Sequence, residues 1–125
     1  MASPADRRYL DSHEWHKAEG DVVAIGISQF AVDELTDITF LDVSKKNGAI
    51  KAGQSFGEIE SVKATSELYS GIDGEVVAVN ADALANPGVI NEDPYGKGWI
   101  IKIKPADKNQ LSKLLDSAAY DQKHG

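Results

Sequence analysis

The sequence predicts a mainly β fold, a small sandwich or barrel of short antiparallel strands with helical additions. Three observations predict it. Apolar and β-branched runs are short. Turn-forming residues interrupt them at intervals of about eight to twelve residues. Only the last segment carries a sustained helical period. The 125 residues, 42% of them hydrophobic, fit one domain over 1–125 with a single core. No linker, low-complexity tract or strict repeat interrupts the chain.

Residues 1–8 read as a loose N-terminal segment. His13 to Lys17 and Val22 to Ile27 read as strands around a turn at Glu19-Gly20-Asp21, where glycine supplies positive φ. Ser28 is placed to cap a short helix near 28–35, with Phe30, Ala31 and Leu35 inward. Ile38 to Val43 is a β-branched and aromatic run, hence a strand. Lys45-Lys46-Asn47-Gly48 is a turn or loop. Phe56 to Val62 and Ser66 to Tyr69 form strands flanking Lys63, and Glu75 to Val79 forms another. Asn80 to Ala85 fits one helical turn stopped near Asn86-Pro87. Asn91 to Gly98 reads as a loop. Trp99 to Ile103 reads as a strand with Trp99, Ile101 and Ile103 on one face. Asp107 and Gln110 resemble a capping box. Leu111, Leu114, Leu115 and Ala118 follow at helical spacing, predicting a C-terminal helix near 108–121.

Thirteen basic against twenty acidic residues give a net charge of −7. A nucleic-acid partner is not expected, because it requires a basic footprint. The absence of cysteine excludes disulfides and cysteine-based zinc sites. No apolar run is long enough to span a membrane. The start resembles neither a secretory signal nor a long transit peptide. Gly96-Lys97-Gly98 lacks the spacing and the Ser/Thr of a phosphate loop. His13-Glu14-Trp15-His16 is one residue short of a zinc-protease motif, and no metal site is expected. Nothing argues for catalysis by the chain's own side chains.

The informative stretch runs from Gly57 to Tyr69. Strand-forming residues lie on both sides of Lys63, uncharged Val62 and Ala64 flank it, and Glu60 and Glu67 stand at the shoulders. A tight turn would hold Lys63 at a hairpin tip. Such a lysine is either a plain solvated loop residue or the base of a swinging arm, fixed by a rigid scaffold.

Glu60-Ser61-Val62-Lys63-Ala64 resembles the lipoyl attachment site of glycine cleavage system H proteins. Ser12-His13-Glu14-Trp15, Gly20-Asp21 and Gly26-Ile27-Ser28 resemble that family's opening. Lys51 to Gly57, Gly74-Glu75-Val76-Val77 with Asn80, and Asn91 to Gly96 with Gly98-Trp99 continue the resemblance. It covers roughly Tyr9 to Tyr120. Asp42 to Gly48 departs from the family's usual loop, Gly71 stands where proline is usual, and Glu67 stands where Asp is common. The first two affect loop stiffness. The third keeps the charge.

The resemblance implies a lipoyl-domain-like barrel-sandwich hybrid, with lipoate joined covalently to Lys63. It implies a non-catalytic carrier that moves an aminomethyl group from a pyridoxal-phosphate glycine decarboxylase (P protein) to a folate-dependent aminomethyltransferase (T protein). Dihydrolipoyl dehydrogenase (L protein) reoxidises the arm, and lipoate-attaching enzymes load it. Cofactors and partners supply the chemistry. A protonated amine on the arm favours carboxylates, so Ser12, Glu14 and Glu67 are expected to line an arm-docking cleft. A monomer in the bacterial cytoplasm is expected, or a mature mitochondrial form. Two alternatives stay open: a lipoyl donor to other complexes, and an unmodified interaction domain of the same fold. The Val62-Lys63-Ala64 context fits neither the Asp-Lys-Ala of dehydrogenase lipoyl domains nor the Met-Lys-Met of biotin carriers.

Overall fold

The structure, a computed structural model, describes residues 3–124. Nine strands form two antiparallel sheets among these residues. The larger sheet contains β1 (Arg8–Tyr9), β2 (Glu14–Glu19), β3 (Val22–Ile27), β5 (Gly48–Ile50), β8 (Gly74–Val79) and β9 (Ile101–Pro105), in the order β1-β2-β3-β9-β8-β5. The smaller contains β4 (Ile38–Val43), β6 (Ser55–Ser61) and β7 (Thr65–Tyr69), in the order β4-β6-β7. The sheets do not close into one barrel, in keeping with the barrel-sandwich hybrid.

Side-chain alternation explains how one core forms between these sheets. Val23, Ile25 and Ile27 of β3 face Leu41, Val43, Ile59 and Leu68 of the smaller sheet within one apolar cluster. The opposite side of β3 is also covered. There Ala24 joins Tyr9, Trp15 and Tyr120 in a second cluster. Gly26 sits on that side, and a Cβ there would lie 2.6 Å from the Trp15 ring. Along β4 the alternation slips once. A bulge between Ile38 and Phe40 buries Ile38 and Leu41 and leaves Phe40 46% exposed.

The first helix follows its expected cap. Ser28 Oγ accepts from the Ala31 N–H, and α1 runs Gln29–Leu35. Its buried residues are Ala31, Val32 and Leu35; Phe30 is only half-buried. Two short helices follow β8. The first, α2 (Ala81–Ala85), is capped by Asn80, and the second, α3 (Gly88–Glu92), enters a region read from sequence as loop. Asn80 also donates to the Lys97 and Trp99 carbonyls, fixing the approach to β9. That strand starts at Ile101, so Trp99 lies before it, half-buried, with the Lys102 ammonium 4.7 Å from its ring centroid.

Three expectations need correction. The C-terminal helix expected near 108–121 is two elements, a 3-10 helix at Lys108–Lys113 and α4 at Ser117–His124. Leu115 exchanges both backbone hydrogen bonds with Tyr9, at 2.8 and 2.9 Å, and this bridge ends the helical run. Gln110 does not turn back onto Asp107. Its side chain bonds the Asp73 backbone N–H and carboxylate instead. The N-terminal segment expected to be loose is tied down from Ser3 onward; Met1 and Ala2 lie outside the described residues. Ser3 bonds Asp121, Tyr9 donates to the Pro4 carbonyl, and Arg7 is buried against the Trp15 and Tyr95 rings.

Candidate functional site: a lysine hairpin above a carboxylate cleft

Lys63 stands exposed in the three-residue connection Val62-Lys63-Ala64 between β6 and β7, with Glu60 paired to Thr65 below. Ser61 organises the tip. Its Oγ accepts from the Lys63 and Ala64 N–H groups at 3.1 Å each, and its N–H donates to the Ala64 carbonyl at 2.8 Å. The Val62 N–H donates to the Asp37 carbonyl, tying the tip to the start of β4. Among the described residues the Lys63 side chain makes no hydrogen bond or ion pair. The lysine is therefore held at its backbone and unrestrained along its stem. The two shoulder carboxylates do not face each other. Glu67 pairs with Glu58, and Glu60 pairs with Thr65.

The base of this hairpin walls a cleft of about 130 Å³ between β2, α1 and β7. Ser12, Glu14 and Glu67 all line it. Lys63 is outside it, four residues up β7's lead-in from Glu67. Sequence reasoning missed the rest of the lining: His13, Glu34 and Ser66, and the apolar Ile27, Ala31, Leu35, Ile59 and Leu68. The inward period of α1 pointed to Ala31 and Leu35 as core. Nothing local marked them as cleft wall.

Glu14 is the unusual group. It is 1% exposed, yet it belongs to β2 at the cleft. One carboxylate oxygen accepts from Ser12 Oγ at 2.5 Å and the other from the Tyr69 N–H at 2.8 Å, so Glu14 bridges the two sheets. Burial pushes its pKa up to about 7, against the lowering effect of those two hydrogen bonds. Glu67 differs: it is exposed and accepts from the Tyr69 hydroxyl at 2.9 Å. Glu67 also edges a second, shallower hollow with Asp42 and Glu58, which stand opposite one another across the smaller sheet. Chemically, the cleft offers an apolar wall and carboxylates at two depths. It suits a chain that is oily along its length and cationic at its end.

Ser12 reaches Glu14 through a kink, not along a strand. His13 adopts φ 87°, in the left-handed region, and β2 begins only at Glu14. His16, two residues further on, is fully buried; its Nε2 accepts from the Gly71 N–H, and burial lowers its pKa to about 4.

Comparisons with known proteins agree with this architecture. The family model described as glycine cleavage H-protein matches residues 7–124. The glycine cleavage system H protein of Bordetella pertussis is 49% identical over 120 residues, 96% of each chain. That of Bacillus licheniformis is 45% identical over 97% of this chain and 95% of its own. Among solved structures, a glycine cleavage system H protein from Mycobacterium marinum superposes with a TM-score of 0.87 at 36% identity, over 96% of this chain and 97% of that one. Near-full-length identity, shared architecture and the family match lead to one conclusion: the chain belongs to the glycine cleavage H-protein family.

Proposed function

We propose that the chain is a lipoyl carrier of a glycine cleavage system, with lipoate joined by an amide to Lys63 Nζ and the arm's far end docking in the cleft of Ser12, Glu14 and Glu67. When bound, lipoate supplies a dithiol that accepts and releases the aminomethyl cargo. The observation that carries the reading is the shared hairpin. Lys63 is exposed at its tip, and Ile59, Ser66, Glu67 and Leu68 of the same hairpin wall the cleft. Glu67 lies two residues into β7, about 7 Å along the strand from its start at Thr65, within reach of a lysine stem extended by a lipoyl chain.

The chain's own residues bind, orient and shield. Ile27, Ala31, Leu35, Ile59 and Leu68 give the arm an apolar bed that excludes water from the cargo. Glu14 offers a buried acceptor to a protonated amine, and that cation in turn favours the ionised carboxyl. Ser12 and the Tyr69 N–H hold the carboxyl in place. Glu67 lies closer to the tip and contributes charge at the mouth. Catalysis belongs to the partners: glycine decarboxylase, the aminomethyltransferase, dihydrolipoyl dehydrogenase and the lipoate-attaching enzymes.

Intact-mass and peptide mass spectrometry on protein from its native cell tests the attachment. A lipoyl adduct on the peptide containing Lys63, absent in Lys63→Arg, is expected; an unmodified Lys63 overturns it. The docking claim has its own measurement. Glu14→Ala is expected to shorten the lifetime of the cargo on the loaded protein by about tenfold, the loss of one charge-assisted contact. An unchanged lifetime rejects the cleft.

A further inference from the structure

We propose that His13 is a positioning residue of the cleft, held by the Tyr120 hydroxyl in the left-handed turn that carries Ser12 onto the Glu14 carboxyl. The inference rests on the docking role of Glu14 proposed above and adds what sets that carboxyl's geometry.

The backbone is the first observation. His13 has a side chain, yet its φ is 87°, a conformation that non-glycine residues adopt only when their surroundings impose it. Extended backbone would leave residues 12 and 14 on one face but about 7 Å apart. The kink instead places Ser12 Oγ 2.5 Å from Glu14 Oε1. Three polar atoms of His13 are fastened. Its N–H donates to the Leu10 carbonyl at 3.0 Å, and its carbonyl accepts from the Ser28 N–H at 2.9 Å. Its Nδ1 lies 2.6 Å from the Tyr120 hydroxyl. The ring packs 4.8 Å from Phe30 and 4.7 Å from His124.

The second observation is where Tyr120 comes from. It belongs to α4, the last element, and is 1% exposed. Its hydroxyl is also 2.6 Å from Ser28 Oγ, the cap of α1. One hydroxyl therefore fastens both the kink beside Glu14 and the start of the helix that supplies Ala31 and Leu35 to the cleft. The Tyr120 ring stacks on Tyr9 at 4.6 Å, so its placement follows the seating of α4 against β1. With the hydroxyl removed, His13 can relax towards extended backbone. Ser12 then leaves Glu14, which keeps only the Tyr69 N–H.

The test reads the Glu14 carboxyl directly, by carbon-13 NMR titration of the full chain without lipoate. Ser12→Ala is expected to raise the Glu14 midpoint by about one pH unit, the worth of one hydrogen bond to a carboxylate. Tyr120→Phe keeps the stack on Tyr9 and is expected to give the same rise. Combined with Ser12→Ala it should add nothing further. A shift in Ser12→Ala without one in Tyr120→Phe overturns the inference, and so does no shift in Ser12→Ala. If Tyr120→Phe fails to fold, His13→Ala decides by the same criterion, because it removes the tethered ring and leaves a side chain that disfavours the left-handed turn. Cargo lifetime on the lipoylated variants separates this inference from the docking reading. A midpoint that moves while the lifetime of Glu14→Ala matches the parent leaves the positioning role standing and removes docking. A shortened lifetime in Glu14→Ala with no midpoint shift in Tyr120→Phe does the reverse.

Discussion

Glycine 26 shows how one missing side chain holds a buried aromatic in place. Trp15 is 1% exposed and donates its indole N–H to the Pro94 carbonyl at 3.0 Å. Its ring lies where a Cβ of residue 26 would stand, and Arg7 covers it at 4.7 Å. Gly26→Ala must displace the ring, the hydrogen bond or the strand. The expected cost is about 1–3 kcal/mol, in the range for overpacking, read as a lower urea midpoint with altered tryptophan fluorescence. An unchanged midpoint would mean that the Trp15 pocket is looser than its contacts indicate. At this scale the sequence was partly legible. Ser12, Glu14 and Glu67 were grouped by resemblance and by residue type, and they do line one cleft. Residues 12 and 14 of a strand would share a face, but β2 begins only at Glu14. The left-handed turn at His13 brings Ser12 and Glu14 together, and no local signal in the sequence announces positive φ at a histidine. Glu34 and the apolar lining converge only through tertiary packing.

At the tip of the β6–β7 hairpin the Ser61 hydroxyl oxygen accepts from two successive amides. Those bonds are exposed, so their effect is local more than global. Ser61→Ala is expected to speed hydrogen exchange at the Lys63 and Ala64 amides by several-fold. Global stability should change by less than about 1 kcal/mol. Unchanged exchange at both amides would show that strand pairing alone orders the tip. Elements with a strong local signature were readable. The strands Val22–Ile27 and Ile38–Val43 and the helix capped by Ser28 occur where their apolar patterns and cap place them. The C-terminal pattern misled because Leu111, Leu114 and Leu115 do fit helical spacing. A bridge to Tyr9, more than a hundred residues earlier, outcompetes the local preference at Leu115. Contacts of Ser3 with Asp121 and of Arg7 with Trp15 and Tyr95 likewise tie down residues 3–8, which read as loose from sequence. The short strand Gly48–Ile50 escaped notice because three residues carry too little alternation to read.

For the molecule as a whole, two buried titratable groups on β2 set opposing pH dependences. Glu14 titrates near pH 7 in the folded chain against an ordinary value of 4.5. Its stabilising contribution is complete below pH 4.5 and is lost as pH rises through about 7, because the folded state holds the proton longer. His16 is the mirror case, at about 4 against 6.5. The folded state keeps it neutral, so its contribution is present above pH 6.5 and is lost as pH falls towards 4. Between pH 4.5 and 6.5 the folded chain holds one extra proton at Glu14, and the unfolded chain holds one extra at His16. The two slopes cancel. Glu14→Gln removes one of them. The stability of this variant relative to the parent should therefore climb with pH by about 1.4 kcal/mol per unit across that window. Above pH 7 the variant should be the more stable protein, since glutamine never ionises in the buried site. Chemical denaturation of both proteins at several pH values measures the difference, and a pH-independent difference would show that Glu14 titrates normally. A carboxyl kept at a position where its ionised form weakens the fold is the pattern of a site selected for binding over stability. On the proposed docking role, the ammonium of the cargo would supply a countercharge to the Glu14 carboxylate.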